Sequence, residues 1–263
     1  MENDNDKSIS KYYGTNLAGL LADKITEVYK EFPKKEYIHA ISRACEGLSY
    51  SKRVELHADE LYKYLPKEFD QAAKILVAIL GEENKHETGM FKTFYWILPL
   101  GKYVEKYGLD FFDTSMDVIE EITKRNTGEY AVRPFIRLYP EQAIEKMTKW
   151  AESDNFHLRR LACEGLRPKL PWATKLDTFI GHPEPVFEIL EKLKEDEVMF
   201  VKKSVANHLT DWLKVNKAPT VALIEQWHHS NNKNTKWIIK RATRKINIFK
   251  DTDHNELTDG DVL

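Results

Sequence analysis

Two stretches decide the fold: Phe156-His-Leu-Arg-Arg-Leu-Ala-Cys-Glu-Gly-Leu166 and Phe200-Val-Lys-Lys-Ser-Val-Ala-Asn-His-Leu209. Each follows an acidic cap candidate, Asp154 or Asp196. Each then places Leu or Val, two basic residues, and a small and apolar series that ends in Leu. Leu158 and Val201 are equivalent positions 43 residues apart. That falls within the roughly 40–47 residues of a two-helix repeat, a unit that hides its apolar side only by stacking on its neighbours. Glu129-Tyr-Ala-Val-Arg-Pro-Phe-Ile136 and Trp237-Ile-Ile-Lys-Arg-Ala-Thr-Arg244 are looser copies.

Outward from this pair, apolar residues recur with a helical period over 14–31, 34–48, 51–64, 68–80, 88–107, 110–126, 129–138, 140–152, 155–166, 184–195, 198–214, 218–229 and 233–248. Links between them are short, and no stretch alternates as a strand would. The expectation is an all-α, HEAT-like helical-repeat solenoid with a concave basic face, one domain over 1–250. The tail 251–263 has no apolar face and is expected to be acidic and disordered. Pro134 is expected to kink the 129–138 helix and free a carbonyl.

With 42% hydrophobic and 31% charged residues, the 263-residue chain has a globular balance and can bury a core. No apolar run reaches the roughly 18–20 residues that span a bilayer, and the longest, Phe94 to Leu100, contains Pro99. The polar, acidic start MENDNDKSIS does not read as a secretory signal. Cys45 and Cys163 lack metal or redox spacing and read as free buried thiols in a reducing cytosol, and His208, His228 and His229 lack the partners of a metal site.

The net charge of −2 hides an asymmetry: residues 129–250 hold 22 Lys+Arg against 15 Asp+Glu, a local +7. Within the repeats the cations recur at equivalent places, Arg133, then Arg159 and Arg160, then Lys202 and Lys203, then Lys240 and Arg241. Lys236, Lys240 and Arg244 form an i, i+4 stripe. Stacked in register, such a row suits a phosphate backbone, while each cation singly reads as a solvated face or inter-repeat packing.

Three stretches carry more than a generic repeat: Gly128-Glu-Tyr-Ala-Val-Arg-Pro-Phe-Ile136, Arg159-Arg-Leu-Ala-Cys-Glu-Gly-Leu-Arg-Pro-Lys-Leu-Pro-Trp-Ala173 and Val201-Lys-Lys-Ser-Val-Ala-Asn-His-Leu-Thr-Asp211. They resemble the AlkC branch of the AlkC/AlkD superfamily of HEAT-repeat DNA glycosylases, through most of residues 90–248. The resemblance implies bacterial repair of alkylated double-stranded DNA in the cytoplasm, on the nucleoid when bound. It further implies a monomer that hydrolyses the N-glycosidic bond of cationic bases such as 3-methyladenine and 3-methylcytosine, without cofactor, metal or membrane. It implies Glu129 and Asp211 as catalytic carboxylates, with Glu164 and Trp172 lining the lesion pocket. Some relatives add a C-terminal immunoglobulin-like domain that grips DNA, where this chain has its acidic tail.

That chemistry suits the residues. A cationic base is already a good leaving group, so the enzyme has to stabilise an oxocarbenium-like sugar and position or deprotonate a water, which carboxylates do. An aromatic face attracts the cation. Other readings stand beside it: Glu129 as a helix-dipole complement, Glu164 as a structural partner of Arg167 or Arg133, Asp211 as a solvated flank or a partner for Arg residues of the next repeat, and Trp172 as a cap on the core. Tyr95 and Trp96 read as core, with a lesion-wall role as the alternative. For the whole chain the alternative is a non-catalytic HEAT scaffold that binds DNA structures or a protein partner.

Overall fold

The computed structural model of the chain describes residues 9–89, 91–246 and 248. The acidic tail 251–263 lies outside them. Every regular element among the described residues is helical. Two compact units divide the chain, one up to Lys146 and one from Met147.

The first unit holds α1 (Thr15–Val28), α2 (Lys34–Ala44), α3 (Tyr50–Tyr64), α4 (Phe69–Ala78), the single turn α5 (Phe91–Phe94), α6 (Leu98–Tyr107), α7 (Phe112–Thr123) and α8 (Arg133–Leu138). α1 packs on α2, α2 on α3 and α3 on α6, and α7 packs on α4 and α6. Tyr13, Leu17, Leu21, Ile25, Tyr37, Ile41 and Leu61 are enclosed between them. This core includes a polar pair, Tyr37 Oη 2.8 Å from His57 Nδ1. Burial pushes the His57 imidazole down to about 4. The unfolded chain therefore takes up this proton first, and stability falls as pH drops from about 6.5 towards 4. A His57→Leu variant is expected to lose that part of the acid sensitivity, read as a flatter Tm-against-pH curve over this window.

The helices expected over 34–48 and 233–248 end early, at Ala44 and Thr243, and two others are broken up. The 88–107 segment is broken into α5, a 3-10 turn at Tyr95–Ile97, and α6 with Pro99 in its first turn. The 129–138 segment is a turn up to Val132, and α8 begins only at Arg133. Pro134 therefore does not kink a helix: it lies in the first turn, where the amide hydrogen it lacks would have no helical acceptor.

α9 (Pro140–Ala151) crosses the division. The second unit then holds α10 (Phe156–Glu164), α11 (Glu184–Leu193), α12 (Met199–Val215), α13 (Lys217–His228) and α14 (Lys233–Thr243). Here the repeat is plain: α10 packs on α12 and α12 on α14, with α11 and α13 as the alternate helices. Leu158 and Val201, the pair 43 residues apart in sequence, are both buried. The caps differ in detail from expectation. Asn155, not Asp154, accepts from the His157 amide, Asp196 accepts from the Val198 amide, and Asn232 caps α14. No helix among the described residues is long and apolar enough to cross a membrane.

Candidate active site and nucleic-acid interface

In the second unit a buried ionic cluster joins α10 to α12. Glu164 ends α10, Arg167 follows one turn later, and Ser204 and Asp211 lie seven residues apart on one stripe of α12. Arg167 NH1 donates to Glu164 Oε1 at 2.6 Å, and its Nε and NH2 each lie 2.8 Å from Asp211 Oδ2. Ser204 Oγ donates to Glu164 Oε2. The Arg160 guanidinium stands 3.6 Å from Glu164 Oε1 and lies over the Phe200 ring. Glu164 and Asp211 keep only 5% and 6% of their surface exposed.

The two carboxyls are pushed apart. Burial raises both, but the Arg160 and Arg167 charges and the Ser204 hydroxyl outweigh it at Glu164, which ends below the usual carboxylate range. At Asp211 burial wins over Arg167, and its carboxyl ends above that range. One environment holds a fixed anion and the other a carboxylate nearer its titration point, which is how a site assigns different roles to like groups. Behind them Cys163 and His208 contact each other at 3.4 Å, and burial pushes the Cys163 thiol up to about 12, so it is a neutral packing group.

Trp172 lies in the loop after α10 and is 84% exposed. Its φ of +67° makes it the only non-glycine residue with positive φ among the described residues. A bulky residue held there costs about 1 kcal/mol or more, a strain typical of functional positions.

In the first unit Glu129 sits in the turn before α8, buried, with its Oε2 accepting from Thr127 Oγ1 at 2.9 Å. Gly128 beside it lies flat on α7: a Cβ there would stand 2.6 Å from Ile119 Cγ2 and 2.7 Å from Thr123 Oγ1. Tyr95 and Trp96 are built into packing. The Tyr95 ring is edge-on to Tyr12 and Tyr13, its carbonyl accepts from Tyr13 Oη, and Lys24 covers the buried Trp96 ring.

The basic ladder divides into engaged and displayed cations. Arg133 is 2% exposed, enclosed rather than presented to a phosphate. Arg159 bonds Asp196 Oδ2 at 2.6 Å and the carbonyls of Ser153 and Asp154, tying two helix starts together. Lys202 is buried and donates to Asn234, and it shares the Trp237 ring with Arg241. Lys203, Lys236, Lys240 and Arg244 are exposed and form no ion pair among the described residues. These four are the cations best able to meet phosphates. Among the described residues no group of three or more His, Cys, Asp or Glu side chains is arranged to hold a metal ion.

Ser204 is the site residue that sequence reading missed. Its spacing from Asp211 was the available signal, since seven residues return to the same helix face.

A sequence model of the DNA alkylation repair enzyme family matches residues 33–246. The uncharacterized protein YhaZ of Bacillus subtilis is 34% identical over 239 residues, covering 90% of this chain and 64% of that protein. Among solved structures, the Pseudomonas fluorescens alkylpurine DNA glycosylase AlkC, bound to DNA containing an abasic site analog, superposes with a TM-score of 0.81 at 31% identity. That match also covers 90% of this chain and 64% of the other. The chain thus spans about two thirds of the length of each relative.

Proposed function

The chain belongs to the DNA alkylation repair enzyme family, and on that premise we propose that it is a monofunctional DNA glycosylase for cationic alkylated bases. The substrates proposed are 3-methyladenine and 3-methylcytosine in double-stranded DNA, with water as the nucleophile. The observation that carries this reading is the Glu164–Arg167–Asp211 cluster, two buried carboxylates around one guanidinium.

Arg167 and Arg160 both meet Glu164, so Asp211 is the carboxylate left with an oxygen to spare in a region largely shielded from water, where it acts on a cation more strongly than in solvent. A cationic base or an oxocarbenium-like sugar is the partner that such a carboxylate stabilises. Asp211, raised towards neutrality by burial, is suited to receive the proton of the attacking water. The N-glycosidic electron pair leaves with the base, which departs neutral. Glu129 is assigned as the second catalytic carboxylate on family resemblance. No motif places a Lys as a Schiff-base nucleophile, so strand cleavage is not expected. Residues 1–250 are read as one solenoid domain acting as a monomer.

The test is release of free methylated base from DNA treated with a methylating agent. Free 3-methyladenine or 3-methylcytosine supports the reading. DNA binding without base release would instead establish a repeat scaffold. Trp172→Gly is expected to relieve the backbone strain and hold or raise Tm, by up to about 1 kcal/mol of stability, while lowering base release at least about tenfold. Replacing Lys236, Lys240 and Arg244 with Gln is expected to weaken DNA binding and reduce the slope of log K against log salt by about 2–3, measured by fluorescence anisotropy across salt concentrations.

A further inference from the structure

An ion-pair cluster kept only for packing would engage its two carboxylates alike. Buried ion pairs stabilise little over apolar replacements, because desolvation offsets their attraction. Here the imbalance is specific. Arg167 uses NH1 on Glu164 Oε1 and places both Nε and NH2 on one oxygen of Asp211, Oδ2. No contact among the described residues occupies Asp211 Oδ1. Glu164 is fully engaged by comparison: Oε1 meets Arg167 and Arg160, and Oε2 accepts from Ser204. The clamp therefore immobilises one carboxylate at both oxygens and the other at only one.

We propose that Arg167 is the positioning residue of this site, clamping Asp211 through Oδ2 so that Oδ1 stays open to the reacting water. This rests on the glycosylase reading and adds to it a named device that holds the base. Glu164, pinned by Ser204, serves as the anchor from which the guanidinium is aimed. The planar fork spans both carboxylates because its nitrogens diverge at fixed angles, which a lysine ammonium cannot reproduce. The charged groups acting most on Asp211 are Arg167 and Glu164 from the α10 side and Lys214 along α12. Of these, Arg167 alone touches its carboxylate.

The test compares Arg167→Gln and Arg167→Lys with the wild type, reading single-turnover base release across pH and the carboxyl carbon-13 titration of Asp211. Without the guanidinium the Asp211 carboxyl should titrate higher by about one pH unit. Base release by Arg167→Gln is then expected to fall at least about 30-fold at pH 6 and less at pH 8, as its acid limb moves up with the titration. Arg167→Lys keeps the charge but not the fork, so it is expected to keep the wild-type acid limb and lose about tenfold in rate. A uniform loss at all pH values with the Asp211 titration unmoved would reduce Arg167 to a structural ion pair and overturn the proposal. So would a folded Arg167→Lys protein with the wild-type rate, the comparison that decides if Arg167→Gln does not fold. If the wild type frees no base but Asp211 titrates higher in Arg167→Gln, the glycosylase reading fails and the electrostatic clamp stands.

Discussion

Asp211→Asn is expected to lower base release by about 100-fold or more while leaving the protein folded and able to bind DNA. Asn keeps the shape and an acceptor for Arg167 but cannot take a proton or carry the charge that stabilises a cationic sugar. The stability consequence has a definite sign. Burial raises the Asp211 carboxyl above its ordinary range in the folded state. Its ionisation therefore costs stability as pH rises through the folded value, and the variant is expected to melt at the same or a higher temperature at pH 7–8. Glu164 is the reverse case, because its carboxyl is lowered and its contribution is lost as pH falls. Glu164→Gln should consequently lower Tm at neutral pH, where Asp211→Asn does not. Thermal melts at pH 5 and pH 8 beside single-turnover release separate these effects. An Asp211→Asn protein that keeps the wild-type rate would remove Asp211 from the chemistry.

Gly128→Ala is expected to be the most damaging single methyl addition near the proposed site, costing about 2–3 kcal/mol and lowering Tm by several degrees. The added carbon would stand 2.6 Å from Ile119 Cγ2, 2.7 Å from Thr123 Oγ1 and 3.3 Å from the Ile119 carbonyl. The strand of chain that carries Glu129 would then have to lift off α7, so base release should fall as well. Gly19→Ala in α1 is the control, since its added carbon meets nothing within 4 Å and Ala favours the helix. Gly19→Ala is expected to hold or raise Tm by up to about 1 kcal/mol of stability. Equal melting temperatures for the two variants would mean that Gly128 is not tightly packed.

The all-helical fold was legible because 3.6-residue periodicity is a local property. α3, α7, α9 and α12 fall within a few residues of the bounds read from it. Where it erred, at 88–107 and 129–138, a proline or a turn interrupted an apolar pattern that two shorter elements also satisfy.

For the candidate site, the residue types were legible and their engagement was not. Lys202 and Arg159 look like Lys203 in the sequence, yet two are tied to Asn234 and Asp196 and one is displayed. Trp172 was noted as a loop tryptophan, but nothing local announces its positive φ or its exposure. The sequence by itself determined the helices, the 43-residue repeat and the family motifs, all of which depend on neighbours along the chain. Only the tertiary structure decided that Arg167 bridges Glu164 to Asp211 across 44 residues of sequence, and that Ser204 completes the clamp. The reason is geometric: hydrogen bonds of this kind act over about 3 Å, and only the packing of α10 on α12 brings such distant residues within that range.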